Sequence, residues 1–266
     1  MGNAVPAAAG QSELLEIKQI GAVLSVGLNR PAKRNALNDG IILAIQNCFS
    51  HLPDGIGAVV IHGIGDHFSS GLDLSELTEH DATEGLRHSQ MWHRVFDRIQ
   101  YSRVPVIAAL KGAVIGGGLE LACAAHIRVA EPSAYFALPE GQRGIFVGGG
   151  GSVRLPRLIG VARMTDMMLT GRVYSATEGA AYGFSQYLTE AGGALPKAME
   201  LAERVAANAP LTNFAVLQAL PMIAEANPQA GLLMESLMAT VAQSDKEAKR
   251  RIRAFLDRKT AKVKPS

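Results

Sequence analysis

Apolar positions along this chain follow two periods, and the switch between them divides it. Leu14 to Ile20 and Ala22 to Leu28 alternate as half-buried strands do, with a natural turn at Ile20-Gly21, so a hairpin opens the fold. Pro31 interrupts regular structure within Asn29-Arg-Pro-Ala-Lys-Arg-Asn-Ala-Leu-Asn38, and Asn38 or Asp39 can cap a helix carrying Ile41, Ile42, Ile45 and Phe49. Ala58 to His62 is a short apolar strand, and Gly63 to Leu77 is predicted to run through glycine and serine into a helix. Residues 79 to 101 have helical period, with Trp92, Val95, Phe96 and Ile99 on one side. Pro105 to Leu110 reads as a buried strand that passes through Gly116, Gly117 and Gly118 directly into a Leu/Ala-rich helix over Leu119 to Ala125. Two more short strands follow, Ile127 to Ala130 and Ala134 to Ala137. Beyond Ser152 the period is helical almost throughout, with turns at Gly171, Gly192-Gly193, Pro210 and Pro228. All strands are therefore expected in the first ~150 residues, followed by a helical annex.

Composition narrows the class. The 266 residues suffice for a full core, and 48% hydrophobic with only 5% aromatic residues describes an aliphatic α/β interior. A net charge of +2, from 26 basic and 24 acidic residues, is too balanced to imply a polyanionic partner. Cys48 and Cys123 lie in apolar helical contexts, which suits reduced thiols in a cytoplasm. No apolar run reaches the ~20 residues that span a bilayer, and no basic segment with a hydrophobic stretch behind it marks a leader. A cytoplasmic protein without membrane or nucleic-acid partners is expected.

Candidate chemistry gathers at glycines. The turn at Gly116-Gly117-Gly118 leaves backbone N–H groups unpaired at the positive end of a helix, which makes an anion site. Glu120 falls in the first turn of that helix, where it either favours the helix start or faces the same ligand. Gly71-Leu72-Asp73-Leu74 is a second place where N–H groups can be presented. Glu140, just beyond Pro139, has no capping role and no i,i+4 partner, and the run Gly148 to Gly151 permits close backbone approach. His62 and His67 lack a set of ligands at metal spacing, and Ser69 and Ser70 do not sit in a nucleophile elbow. No metal site is expected.

Eight segments in order then resemble one family over nearly the whole chain. They are Asn29-Arg-Pro-x-x-x-Asn-Ala-Leu37, Phe68-Ser-Ser-Gly-Leu-Asp-Leu74, Pro105-Val-Ile-Ala-Ala109, Gly116-Gly-Gly-Leu-Glu-Leu-Ala122, Pro139-Glu140, Arg154-Leu-Pro-Arg-Leu-Ile-Gly160, Leu169-Thr-Gly171 and Ala180-x-x-Gly183. The pattern is similar to the crotonase, or enoyl-CoA hydratase/isomerase, family. The resemblance implies an α/β fold with a repeated β-β-α spiral core over residues 1–200 and a C-terminal helical region over 201–266 that covers the active site and builds the oligomer interface. A homotrimer or a hexamer formed as a dimer of trimers goes with it.

By the same resemblance, the N–H groups of Leu72 and Gly117 form an oxyanion hole for the thioester carbonyl of an acyl-CoA. Glu120 orients and deprotonates water toward Cβ, and Glu140 protonates Cα. CoA contacts are implied for Lys33, Arg34 and Ala36, for Ser70 and Leu74 near the adenine, and for Asp73, Gly116, Leu138 and Gly148; Phe255 and Arg258 would close over CoA. CoA belongs to the substrate, so no separate cofactor is expected. The chain departs from the family pattern where Val147, preceded by Phe146, replaces a common proline, and this leaves the acyl pocket undefined. Retention of both acids favours hydration of a short or substituted 2-enoyl-CoA. The alternatives are thioester hydrolysis, alone or after hydration, double-bond isomerisation, and a non-enzymatic RNA-binding or scaffolding role for the basic terminal helix. In that helix Ile252, Phe255 and Leu256 are expected to pack inward.

Overall fold

The computed structural model describes residues 13–75 and 81–257. Its main sheet is assembled from the apolar runs. The strands β1 (Leu15–Ile20), β2 (Val23–Leu28), β3 (Ala58–Gly63), β4 (Val106–Leu110), β6 (Ile127–Ala130) and β9 (Tyr187–Leu188) lie in the order β1-β2-β3-β4-β6-β9. Only β1 and β2 pair antiparallel; β2, β3, β4, β6 and β9 are joined by parallel ladders. A parallel sheet is covered on both faces, which is why β3 and β4 are apolar without alternation. Val59, Ile61, Val106, Ala108 and Leu110 enter the larger core. Ala58, Val60, Ile107 and Ala109 face the other way.

The larger core is closed by α1 (Asp39–Ser50), α2 (Ala82–Gln100) and α3 (Gly117–Ala124). Asn38 caps α1 through its side chain, and Asp81 with Glu84 forms a capping box at the start of α2. After α3 come α4 (Gly151–Ile159), α5 (Val161–Thr170), α6 (Ala176–Tyr182) and α7 (Ala194–Ala206). The opposite face of the sheet is sealed by Ala194, Ala198, Leu201 and Ala202 of α7.

A second, three-stranded sheet has the order β5-β7-β8, from β5 (Ala113–Ile115), β7 (Tyr135–Ala137) and β8 (Tyr174–Ser175). Three expectations change here. The strand ending at Leu110 does not enter the helix directly, because β5 intervenes, held by β7 in register Ala113↔Tyr135. Strands also continue past Ser152, since β8 and β9, two residues each, are drawn in as edge partners. Through Ser75 the segment after β3 stays in turns rather than helix. There Gly71 takes φ +85° and Ser75 folds back to hydrogen-bond Asp73.

The chain separates into two compact units, Met1–Ala206 and Ala207–Ser266. The first extends beyond residue 200 because α7 is part of its core. The second holds α8 (Pro210–Phe214), α9 (Leu220–Glu225), α10 (Pro228–Ser244) and α11 (Lys246–Leu256). Between α8 and α9 the winding widens at Ala215–Ala219, just before Pro221, which has no N–H to continue the ladder. Ile252, Phe255 and Leu256 do not pack inward; all three are exposed on α11. Among the described residues no helix is long and apolar enough to cross a membrane.

Candidate active site

The small sheet draws three distant segments together. Ser69 N–H donates to Ala113 O at 2.9 Å and Ile115 N–H to Ser69 O at 3.1 Å, which pairs Ser69 with Val114 of β5. On the other side Gly116 N–H donates to Ala137 O at 2.9 Å, so the chain leaving β7 delivers Glu140 beside the glycine turn. Each glycine of that turn meets a different neighbour. A Cβ on Gly116 would lie 2.5 Å from Glu140 Oε1, one on Gly117 2.8 Å from Trp92 Cζ3 and 3.6 Å from Leu72 N, and one on Gly118 2.7 Å from Ser69 Cβ. Side chains are excluded here by contact as much as by backbone angle.

Leu72 and Gly117 are thereby brought face to face. Gly117 opens α3, where the helix supplies no acceptor for its N–H. Neither that N–H nor Leu72 N–H donates to an acceptor among the described residues. A Cβ on Gly71 would fall 3.2 Å from Gly117 N, so the two backbones touch without a side chain between them. Two converging free donors at a helix start can hold a carbonyl oxygen that gains negative charge.

Glu120 lies one turn further along α3, a helix buried on every side, and is only 3% exposed. Its Oε1 accepts from Gly149 N–H at 2.9 Å and Gly151 N–H at 2.7 Å, at the positive end of α4. Burial raises this carboxyl above its ordinary range, and these N–H donors and the Arg154 charge temper that rise. The glycine run is itself held from behind. Arg154 donates to Gly149 O at 3.0 Å, to Gln100 Oε1 at 2.5 Å and to Asp97 at 2.6 Å. Ser89 Oγ donates to Gly148 O at 2.7 Å. N–H groups thus point at the carboxylate and C=O groups at the supports.

Glu140 is also buried, 8% exposed, but its Oε2 has no hydrogen-bond partner. Burial lifts its carboxyl to about 7; the nearby Glu120 charge acts in the same direction and Arg143 opposes it. The two acids therefore share a neighbourhood and differ in support. One is cradled by two N–H donors of the glycine run and the other has an oxygen without a partner, and such a difference in environment is how a fold separates a base from an acid.

The loop residues expected at CoA form a connected group of their own. Asp73 is buried and receives Arg30 at 2.8 Å, Lys33 at 3.0 Å and Ser75 Oγ at 2.6 Å. The Ser75 hydroxyl, Lys33 and Arg30 hold its carboxyl well below the usual range. Arg30 also donates to Ala36 O at 2.6 Å, and Ser70 bonds the backbone of Arg34 and Lys33. Arg34 is exposed in the left-handed region at φ 51°, and Leu74 is exposed as well. Leu138 is fully buried after β7. Phe255 is exposed in the second unit, and Arg258 lies outside the described residues.

Arg30, Ser89 and the supporting role of Arg154 escape the sequence reading. Arg30 and Arg154 do stand inside family-like segments, whereas nothing in the sequence marks Ser89. Trp92 reads only as core. Among the described residues no group of three or more His, Cys, Asp or Glu side chains could hold a metal ion.

Comparison with known proteins agrees with this architecture. The family model for enoyl-CoA hydratase/isomerase matches residues 18–265. The 2,3-dehydroadipyl-CoA hydratase of Escherichia coli is 34% identical over 257 residues, covering 95% of this chain and 99% of the relative. The short-chain-enoyl-CoA hydratase of Clostridium acetobutylicum is 30% identical over 246 residues, 91% and 94% of the two chains. A crystal structure from Rhodopseudomonas palustris, assigned provisionally to the enoyl-CoA hydratases, superposes with TM-score 0.92 at 78% identity over 97% of this chain and 100% of that one. The chain therefore belongs to the enoyl-CoA hydratase/isomerase family, the crotonases.

Proposed function

We propose that this enzyme adds water across the 2,3 double bond of a short or substituted 2-enoyl-CoA by syn addition. The observation that carries the reading is the unequal pair of acids beside two unpaired backbone donors. The thioester oxygen would accept from Leu72 N–H and Gly117 N–H. As water oxygen bonds to Cβ, the π electrons shift toward that oxygen and the donors stabilise the enolate. Glu120, whose anionic form the two N–H donors of its cradle favour, takes the proton of the attacking water. Glu140, with Oε2 unpartnered and its carboxyl lifted to about 7, holds the proton that is delivered to Cα. Water is consumed whole, and the turnover closes when the proton on Glu120 is passed back to Glu140. CoA would be held by the segments Lys33–Ala36 and Ser70–Leu74, with the Asp73 clamp joining them.

The test is the pair Glu120→Ala and Glu140→Ala. Each should lose hydration by about 10²–10⁴-fold, the usual worth of a general acid or base, while calorimetric binding of a saturated acyl-CoA persists. A variant that hydrates at near the wild-type rate would remove its residue from the mechanism.

A trimer or dimer of trimers is supported by the exposed apolar side chains Phe214, Leu220, Met222, Leu232, Leu233 and Leu237 of the second unit. Light scattering that gives a monomer would reject this. The two free cysteines, Cys48 and Cys123, favour a reducing, cytoplasmic setting, which fractionation of the native host would check.

A further inference from the structure

The two oxyanion donors are placed by different means. Gly117 N–H is fixed by the start of α3, whereas Leu72 lies outside every helix and strand of the fold. Leu72 is held by an isolated parallel bridge to the fully buried Leu37. Leu37 N–H donates to Gly71 O at 2.7 Å and Asp73 N–H to Leu37 O at 2.8 Å. Successive peptide groups of an extended segment point to opposite sides, so with Gly71 and Asp73 turned toward Leu37, the N–H of Leu72 is turned away from it, to the side of Gly117. Two such bonds are worth only about 0.5–1.5 kcal/mol each, a weak anchor for a donor whose work depends on its distance to the oxyanion.

Arg30 braces this bridge. Its guanidinium donates through Nη1 to Ala36 O at 2.6 Å and through Nη2 to Asp73 Oδ2 at 2.8 Å, so the fork ties the residue before Leu37 to the residue after Leu72. The brace is anchored in turn. Arg30 N–H donates to Asn35 Oδ1 at 2.9 Å, and the buried Asn35 donates through Nδ2 to Ile64 O at 2.9 Å and His67 O at 2.7 Å. The Arg30 side chain is 12% exposed, against 45% for Lys33, so Lys33 is the one open to a CoA phosphate. A buried ion pair is weak evidence of stabilisation in itself. This one lies where any slip of one segment past the other would move Leu72 N–H.

We infer that Arg30 is a positioning residue for the reaction: its guanidinium fork, acting through Ala36 O and Asp73, sets the place of the Leu72 donor in the oxyanion hole. The inference rests on reading Leu72 and Gly117 as that hole.

The test joins kinetics on crotonyl-CoA to infrared difference spectra of bound butyryl-CoA, isotopically labelled at its carbonyl. Butyryl-CoA cannot be hydrated, and its thioester stretch falls in frequency as the hydrogen bonds to it strengthen. In the wild-type enzyme the band should lie below its position in water. In Arg30→Met it should move back toward that position. There kcat should fall roughly 10- to 100-fold, less than the 10²–10³ of losing an oxyanion donor outright. KM should stay within about threefold, because the donor acts most on the enolate. Arg30→Lys keeps a charge beside Asp73 but not the fork, and should fall between the two. A role in stability alone would lower Tm and leave the band of the bound ligand in place. A wild-type band and kcat in Arg30→Met, or in Arg30→Lys should the first variant not fold, would overturn the proposal while leaving the hole intact. A wild-type enzyme that binds butyryl-CoA with no lowering of the band, or does not bind it, would remove the oxyanion-hole reading and this one with it.

Discussion

Glu140 should be a liability to the fold whenever it is ionised, and Glu140→Gln exposes that cost. Burial lifts the carboxyl from 4.5 to about 7, a difference of about 2.5 pKa units. At 1.36 kcal/mol per unit this corresponds to about 3 kcal/mol. The folded pKa lies above the unfolded one, so the native state keeps a proton that the unfolded chain releases between pH 4.5 and about 7. Stability is therefore fully present below that window, falls through it, and reaches its full deficit above it. A glutamine cannot ionise. Relative to its own offset at about pH 4, Glu140→Gln should gain about 2–3 kcal/mol over wild type by about pH 8, or roughly 4–10 °C in Tm for a chain of this size. Thermal unfolding of both proteins, followed by circular dichroism across a buffer series, measures the difference curve. Activity should move the other way, since the variant lacks the acid proposed to protonate Cα. A difference in Tm that stays constant with pH, or that favours wild type increasingly toward high pH, would show that Glu140 is not held protonated by burial.

Other substitutions test the supports. Gly151→Ala would place a Cβ 2.8 Å from Glu120 Oε1 and disturb a charge-assisted bond worth about 1.5–3 kcal/mol, so kcat should fall roughly 10- to 100-fold with the fold intact by circular dichroism. Gly117→Ala would press a methyl group to 2.8 Å from Trp92, and stopped-flow kinetics should show a lower kcat with Trp92 emission altered in the free protein. Asp73→Asn would remove the buried carboxylate that Arg30 and Lys33 both bind and should cost about 1.5–3 kcal/mol in urea unfolding. Because the Asp73 carboxyl is held below its ordinary range, its contribution is present above that range and lost as pH falls through it.

Much of the framework was legible because it obeys local rules. The strands β3 and β4 are uninterrupted apolar runs, α2 shows one clean apolar stripe, and Asn38 announces its cap. Glu140 stood out because neither a helix start nor an i,i+4 partner accounts for an acid after Pro139, and Glu120 because the glycine turn sets it beside unpaired N–H groups. What escaped depends on partners far along the chain. The strand β5 is three residues between glycines and exists because β7 pairs with it, while β8 and β9 are shorter still. An amphipathic stripe on α11 told which side Ile252, Phe255 and Leu256 share, but not whether anything covers it. Arg30 and Arg154 appeared only as letters in a pattern; their work with Asp73 and Gly149 is a matter of three-dimensional reach. The unmet N–H of Trp92 could not be read at all, since satisfaction of a donor leaves no trace in periodicity.

The most direct measurement follows crotonyl-CoA by loss of its enoyl thioester absorbance, with a thiol reagent reporting free CoA in parallel. Hydration by Glu120 and Glu140 predicts absorbance loss without thiol release, abolished in Glu120→Ala. Thiol release without a hydroxyacyl product, or absorbance loss that survives in Glu120→Ala, would contradict it.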